Sequence, residues 1–106
     1  MDKSQYWIDL LNLTPHPEGG FFREIYSSNI FVDGNLISSE FNGRRNLSTS
    51  IYFLLKSGEV SRLHRLRSDE IWYYHTGSTL TLYTIDVDGK QNETILGKNI
   101  EKNEVL

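Results

Sequence analysis

The sequence predicts an all-β protein, a sandwich or a barrel built from short strands. Turn signals that contain glycine recur at positions 34, 43, 58, 77, 89 and 97, and the segments between them are rich in β-branched and aromatic residues. The segment that follows position 77 alternates apolar and polar residues with the period of two that a half-buried strand shows. Only residues 4–13 carry the period of a helix. Many short strands at regular spacing are typical of sandwiches and barrels.

Composition limits the classes of protein that this chain can belong to. A length of 106 residues suits one core, so we expect residues 1–106 to form a single domain. The fractions of charged (24%) and hydrophobic (38%) residues are those of an ordinary globular protein. A net charge of -3 argues against a nucleic-acid partner, which selects a basic surface. The chain has no cysteine, which excludes disulfides and thiolate metal sites.

Hydropathy argues against a membrane partner as well. The longest strictly apolar run covers residues 51–55, whereas a membrane-spanning helix needs about 20 apolar residues. The N-terminal residues lack the charged and apolar regions of a signal peptide. We therefore expect a cytoplasmic protein.

The predicted helix occupies residues 4–13. Trp7, Leu10 and Leu11 follow the spacing of one apolar face, which we expect to pack onto the barrel. Asp2 or Ser4 can cap its start. The helix should end at residues 14–15, because a residue before proline is driven out of the helical region.

A rigid turn follows at residues 15–20, with the sequence Pro-His-Pro-Glu-Gly-Gly. Two prolines fix their own φ angles, and two glycines allow backbone angles that are closed to other residues. Such a turn can position Glu18 and His16. Two interpretations of Glu18 remain open: it satisfies amides of the turn, or it lies at the mouth of a binding pocket.

The first half of the predicted barrel consists of residues 21–55. Residues 21–27 should form a strand with Phe22, Glu24 and Tyr26 on one face, and Arg23 on the other face could meet an anionic ligand or simply lie at the surface. The Asp33-Gly34 pair predicts a hairpin between residues 30–32 and 36–37. Residues 51–55 lack polar alternation, so both faces of that strand should be covered. We expect a second subunit to cover one of them, which makes the protein a homodimer.

The second half is expected to continue as hairpins. Leu80 and Leu82 should share one face, and Asp88-Gly89 should close a hairpin onto residues 94–96. Residues 100–106 should enter a further strand. We expect that the sequence is a fragment of a longer chain, or that a partner chain supplies the strands that would complete the barrel.

Chemistry-bearing residues concentrate in two runs predicted to be adjacent strands, residues 60–66 and 71–76. On the first run His64 and Leu66 share a face, while Arg65 and Arg67 point away from it. On the second run one face carries a carboxylate and two aromatic side chains, those of Glu70, Trp72 and Tyr74. If the two faces meet, they enclose a volume in which a small molecule could bind.

The spacing of these residues resembles the first motif of the cupin superfamily of small β-barrels. Gly58, His64, Glu70 and Gly77 fall on the motif's frame without an insertion, although Leu66 stands where the second histidine belongs. The run at residues 15–20 and the runs at residues 48–55 and 69–72 resemble a cupin branch of largely unassigned function, similar in fold to the deoxysugar-nucleotide epimerases. The resemblance implies a jelly-roll barrel with a short N-terminal helix.

The same resemblance implies a metal site, and this sequence departs from it. The usual set is two histidines and a glutamate from the first motif with a histidine from a second motif, and nothing after Gly77 matches that second motif. Since leucine cannot coordinate a metal, we expect neither a functional metal nor another cofactor. His75 should point to the face opposite Glu70.

The resemblance to the epimerases implies a metal-free acid/base site. His64 would be the base, Glu70 would orient its ring, and Tyr74 would donate a proton. Trp72 would stack on a sugar or planar ring, and Leu66 would line the pocket. The predicted function is a metal-independent isomerase or epimerase of a sugar or sugar nucleotide. Two alternatives stay open: a non-catalytic module that binds or senses a small molecule, and a purely structural dimer.

Overall fold

A computed structural model describes residues 2–36, 43–66 and 68–106. Its first element is the helix α1 (Ser4–Leu11). The strands that follow are β1 (Thr14–Pro15), β2 (Phe21–Ser27), β3 (Phe31–Asp33), β4 (Arg44–Asn46), β5 (Thr49–Leu54), β6 (Leu80–Ile85) and β7 (Gln91–Leu96). The predicted class, mostly β with one short helix, is confirmed. The described strands form three sheets, and no closed barrel is shown among them.

The chain separates into two compact units, Met1–Arg67 and Ser68–Leu106. The first contains α1 and the strands β1 to β5, and the second contains β6 and β7. No helix in the described ranges is long and apolar enough to cross a membrane.

Helix α1 ends two residues earlier than predicted. Lys3 is its N-cap residue and makes no side-chain capping hydrogen bond, whereas the carboxylate of Asp2, one residue earlier, accepts a hydrogen bond from the N–H of Ser4 at 2.8 Å. This hydrogen bond lowers the pKa of Asp2 from its ordinary value. The helix stops where Asn12 adopts the left-handed conformation, and the N–H of Leu13 then donates to the carbonyl of Ile8 at 3.0 Å. Asparagine tolerates that conformation, so the helix ends before the proline is reached.

The predicted apolar face of α1 is wrong at one position. Ile8 is buried and Leu10 is 56% exposed, whereas Trp7 and Leu11 are half-buried as expected. The inward positions are therefore 4, 7, 8 and 11, which is the helical spacing shifted by one residue at its centre.

Three strands of the first unit form a sheet in the order β1, β2, β5, all antiparallel. Strand β2 spans the predicted residues, and its partners on β5 begin as a regular ladder in which Glu24 lies opposite Ile51. The register then shifts, so that Tyr26 lies opposite Ser50. Ile25 is the extra residue of a β-bulge.

The bulge corrects the predicted faces of β2. Cross-strand partners share a face of a sheet, and successive residues of β5 point to opposite faces. Glu24 therefore shares the face of Ile51, and Tyr26 shares the opposite face with Ser50. Tyr26 lies on the side of Arg23, not on the side of Glu24 as predicted.

The predicted hairpin at Asp33-Gly34 is wrong. Residues 34–36 form a short 3-10 helix, and β3 pairs with β4, with Asp33 opposite Arg44. The N–H of Gly34 donates to the carbonyl of Gly43 at 2.8 Å, so a longer connection brings the two strands together. Residue 37 of the predicted hairpin and residue 42 of the next predicted turn lie outside the described residues.

The two runs that were predicted as strands at residues 60–66 and 71–76 form none within the described ranges. A strand needs a ladder of hydrogen bonds to a neighbour. Here the first run has one backbone hydrogen bond to another segment, from the N–H of Arg62 to the carbonyl of Glu18. Strand composition without a pairing partner leaves the backbone irregular.

The second unit contains the predicted hairpin, which is confirmed. Strands β6 and β7 pair antiparallel, with Leu80 opposite Leu96 and Leu82 opposite Thr94. The carboxylate of Asp86 closes the turn by accepting two backbone N–H groups, each at 2.9 Å.

The strand predicted at residues 100–106 is wrong. Residues 100–102 form a 3-10 helix, and Val105 makes a single parallel bridge to Leu96. The carboxylate of Glu104 folds back against Gly97, where a Cβ would overlap it, and accepts the N–H of Asn99 at 3.1 Å.

Candidate functional site

The turn at residues 15–20, called the proline–glycine turn below, is closed by its own backbone. The N–H of His16 donates to the carbonyl of Gly20 at 2.8 Å, and the N–H of Gly19 donates to the carbonyl of His16 at 3.1 Å. Gly19 has a φ of +113°, and a Cβ built on it would overlap the carbonyl oxygen of Val60. Only glycine allows both that angle and that approach. The turn therefore lies against the run that carries His64.

The ring of His16 is enclosed by aromatic side chains. It meets Phe22 at 4.9 Å and Phe53 at 5.3 Å between ring centroids, in edge-to-face geometry on both sides. Its Nδ1 accepts the N–H of Glu18 at 3.0 Å. An imidazole nitrogen that accepts carries no proton, so His16 is neutral with its proton on Nε2.

Arg62 connects the proline–glycine turn to the next part of the chain. Its backbone N–H donates to the carbonyl of Glu18, and its Nη2 donates to the carbonyl of Pro17, both at 2.7 Å. The Arg62 side chain is exposed, and its guanidinium holds the turn.

His64 lies two residues further on, with an exposed ring. Its Nδ1 lies 2.7 Å from the carbonyl oxygen of Arg62. A carbonyl oxygen can only accept, so this contact assigns the proton to Nδ1 in the neutral ring. Nε2 then carries a lone pair that can take a proton, which is what a general base requires. Leu66, at the frame position of the missing histidine, is 49% exposed.

Glu18 and Arg23, the two ligand contacts predicted in the early part of the chain, make hydrogen bonds within the fold. Glu18 is half-buried, and its backbone N–H and carbonyl are both used in the turn and its junction with Arg62. Arg23 donates from Nη1 to the carbonyl of Leu11 at 3.3 Å, where a cation also meets the negative end of the helix dipole. This contact favours the surface interpretation of Arg23 over an anion-binding role.

The second unit holds the other predicted site residues. The indole Nε1 of Trp72 donates to Oε1 of Glu70 at 2.6 Å, and the hydroxyl of Tyr74 donates to the carbonyl of Gly77 at 2.6 Å. Trp72 and Tyr74 are half-buried, whereas Ile71 is 74% exposed. The residues at 70, 72 and 74 thus share one face of an extended chain, even though the run forms no strand.

The structure groups the predicted site residues by unit. Glu18 and His64 are joined through Arg62 in the first unit, while Glu70 and Trp72 are joined directly in the second. The carbonyl of Arg62 already orients the His64 ring at Nδ1, so the role predicted for Glu70 stays a prediction.

Sequence reasoning passed over Arg62 and gave His16 no firm role. The spacing of Arg62 and His64 could have indicated a role for Arg62. Residues two apart in an extended chain share a face, so Arg62 lies on the face of His64, whereas Arg65 does not. For His16 the signal was its place between two prolines, because a side chain fixed on so rigid a turn has few positions to adopt.

The residues on the cupin frame do not fit the metal that the resemblance implies. His64 and Glu70 are the two donors on that frame, and Leu66 offers no lone pair. Across residues 2–36, 43–66 and 68–106, no group of three or more His, Asp or Glu side chains is arranged to hold an ion.

Comparisons with known proteins agree on the fold and carry no assigned activity. The family model described as Cupin superfamily (DUF985) matches residues 5–106. A hypothetical protein from Leishmania major is 38% identical with a TM-score of 0.82, and 96% of this chain aligns with 61% of that one. A crystal structure of a protein from Shewanella oneidensis is 39% identical with a TM-score of 0.81, and 98% of this chain aligns with 60% of it. The chain thus spans about three fifths of these two solved chains. No curated protein matches.

Proposed function

The chain belongs to the cupin superfamily family DUF985, and on that premise we propose that it binds a small polar metabolite on which His64 acts. The observation that carries the proposal is the hydrogen bond between Nδ1 of His64 and the carbonyl of Arg62, at 2.7 Å. It leaves the lone pair of Nε2 on an exposed ring, where a ligand can reach it. The resemblance to the epimerase-like cupins supports a metal-independent isomerase or epimerase of sugars or sugar nucleotides.

The proposed reaction is a proton transfer at a carbon next to a carbonyl. Nε2 of His64 removes the proton, the electron pair moves onto the carbonyl oxygen as an enolate, and the same carbon or its neighbour is reprotonated. No oxidant, reductant or second substrate is needed. In the second unit the carboxylate of Glu70 holds the indole of Trp72 by its Nε1, and stacking of a sugar ring on this flat apolar surface is a separate proposal.

A specific observation favours the non-catalytic alternative. The hydroxyl proton of Tyr74, the predicted acid, is directed to the carbonyl of Gly77. Donating it to a ligand would first break a 2.6 Å hydrogen bond. A module that binds a metabolite without turnover needs no such proton.

Deuterium exchange separates these functions. The protein is mixed in D2O with a panel of sugars and sugar nucleotides, and loss of the signal of the proton next to the carbonyl is followed by NMR, with binding followed by ligand-observed NMR. His64→Gln keeps a polar group near the place of Nε2 but removes the base. His75→Gln is the control, because it makes the same chemical change at another histidine.

Exchange in the parent and in His75→Gln, with its loss in His64→Gln, is the result expected of the enzyme. Binding without exchange in the parent would establish the sensing module in its place. The proposal fails if no member of the panel binds, which leaves the structural dimer, or if His64→Gln binds and exchanges as the parent does.

A further inference from the structure

We propose that Arg62 is a positioning residue that sets the tautomer of His64. Three groups of Arg62 make hydrogen bonds of 2.7 Å: its N–H to Glu18, its Nη2 to Pro17, and its carbonyl oxygen to Nδ1 of His64. Arg62 thus ties the proline–glycine turn to the imidazole. A catalytic consequence rests on the proposed function, whereas the tautomer itself requires no ligand.

The first two hydrogen bonds fix the third. The carbonyl that meets His64 belongs to the peptide that follows Arg62, and its direction depends on the backbone angles of that residue. Those angles are restrained because the N–H and the guanidinium of Arg62 both hold carbonyls of one turn. The turn itself is stiff, with two prolines and with Gly19 packed against the carbonyl of Val60.

The direction of that carbonyl decides where the imidazole proton lies. A neutral imidazole in water prefers to carry its proton on Nε2, which would leave Nδ1 as the base. The carbonyl of Arg62 accepts a hydrogen bond from the protonated Nδ1 and so reverses the preference. One hydrogen bond of ordinary strength changes a tautomer ratio by about fivefold. Arg62 thereby places the basic lone pair on Nε2, at the far side of the ring.

The protein contains its own reference for this measurement. His16 accepts the N–H of Glu18 at Nδ1, so its proton lies on Nε2, the opposite of His64. Long-range proton–nitrogen correlation spectra of 15N-labelled protein distinguish protonated from unprotonated ring nitrogens. We expect opposite patterns for the two residues in one spectrum of the parent, recorded at a pH where both rings are neutral.

Variants test the role of the arginine side chain. Arg62→Met keeps the apolar stem but removes the donor to Pro17, and we expect the ratio of the His64 tautomers to move about fivefold toward the Nε2–H form. The pattern of His16 should not change, because its contacts with Glu18, Phe22 and Phe53 do not involve the guanidinium. Arg62→Lys, which can still donate to the turn, should restore much of the parent ratio, and Arg65→Met should leave it unchanged.

Two results would overturn the inference. One is a parent spectrum in which His64 carries its proton on Nε2, and this holds even if no Arg62 variant folds. The other is a folded Arg62→Met protein, judged by an unchanged His16 pattern, with the parent His64 ratio. Neither depends on a ligand, so failure here is separate from failure to find deuterium exchange. If exchange is found, Arg62→Met should slow it without weakening ligand binding.

Discussion

Replacing Gly19 with alanine should unfold the junction between the proline–glycine turn and the run that carries His64. The new Cβ would overlap the carbonyl oxygen of Val60 and lie 3.3 Å from its carbonyl carbon. Both are backbone atoms, which cannot rotate aside as a flexible side chain would. The turn and the run must therefore move apart.

The magnitude follows from two contributions. A non-glycine residue at a φ of +113° is strained by about 1–3 kcal/mol. Separation of the turn from the run also loosens the two hydrogen bonds of Arg62 to Glu18 and Pro17, at about 1 kcal/mol each. We expect Gly19→Ala to lower the free energy of unfolding by about 3–5 kcal/mol in all, a large part of the stability of a domain of this size.

Gly58→Ala is the matched control. Gly58 has a φ of +84°, and a Cβ built there would meet no heavy atom within 4 Å. It therefore carries the backbone strain without the overlap and should cost about 1–2 kcal/mol. Urea unfolding followed by tryptophan fluorescence measures both variants. If the two lose equal stability, the close approach at Val60 does not stabilise the fold and the reasoning is wrong.

Three further predictions concern separate parts of the chain. His16→Phe should keep the aromatic packing but leave the N–H of Glu18 without its acceptor, at a cost of about 1–3 kcal/mol in urea unfolding. His16→Asn makes the opposite change, because it keeps an acceptor near Nδ1 and loses the ring. A phenylalanine variant as stable as the parent would contradict this reasoning. Asp86→Ala removes the acceptor of two backbone N–H groups in the turn and should cost about 1–2 kcal/mol in thermal unfolding. Asp88→Ala removes the same charge from the same turn and should cost less than about 0.5 kcal/mol. Equal losses would refute the argument that Asp86 holds the turn. The homodimer remains a prediction: Ile51 on β5 is 41% exposed in one chain, and sedimentation that finds only monomer at micromolar concentration would exclude it.

Local patterns predicted the elements whose causes are local. Strand β2 has the predicted limits, and the β6–β7 hairpin follows from alternation on both sides of Asp88-Gly89. The cupin frame through His64 and Glu70 led to the family for the same reason, since spacing is read directly from the sequence. Each of these features is decided by a short, continuous stretch of sequence.

Elements that depend on distant partners were not predictable. Asp-Gly is a typical hairpin turn sequence, yet the hairpin predicted at Asp33-Gly34 does not form, and β3 pairs with β4 across a longer connection in which the N–H of Gly34 donates to the carbonyl of Gly43. Residues 60–66 have strand composition, but composition supplies no partner for a ladder. In α1, both Ile8 and Leu10 are apolar, and only packing decides which of them is buried.

The candidate site was predictable in its residue types and not in its hydrogen bonds. Spacing singled out His64, but which of its nitrogens carries the proton depends on the carbonyl of Arg62, and no pattern of side chains encodes the direction of a backbone group. The same holds for Tyr74, whose hydroxyl is directed to the carbonyl of Gly77.

The single extra residue in β2 reverses, between the two ends of that strand, which face of the sheet the even-numbered side chains occupy. If Ile25 entered the ladder opposite Ser50, Tyr26 would move opposite Thr49 and leave the side on which Arg23 lies. An aromatic ring would exchange places with its neighbour, although no side chain had been substituted. The register of this strand against β5, and not only its composition, therefore determines which chemistry each surface of the sheet presents.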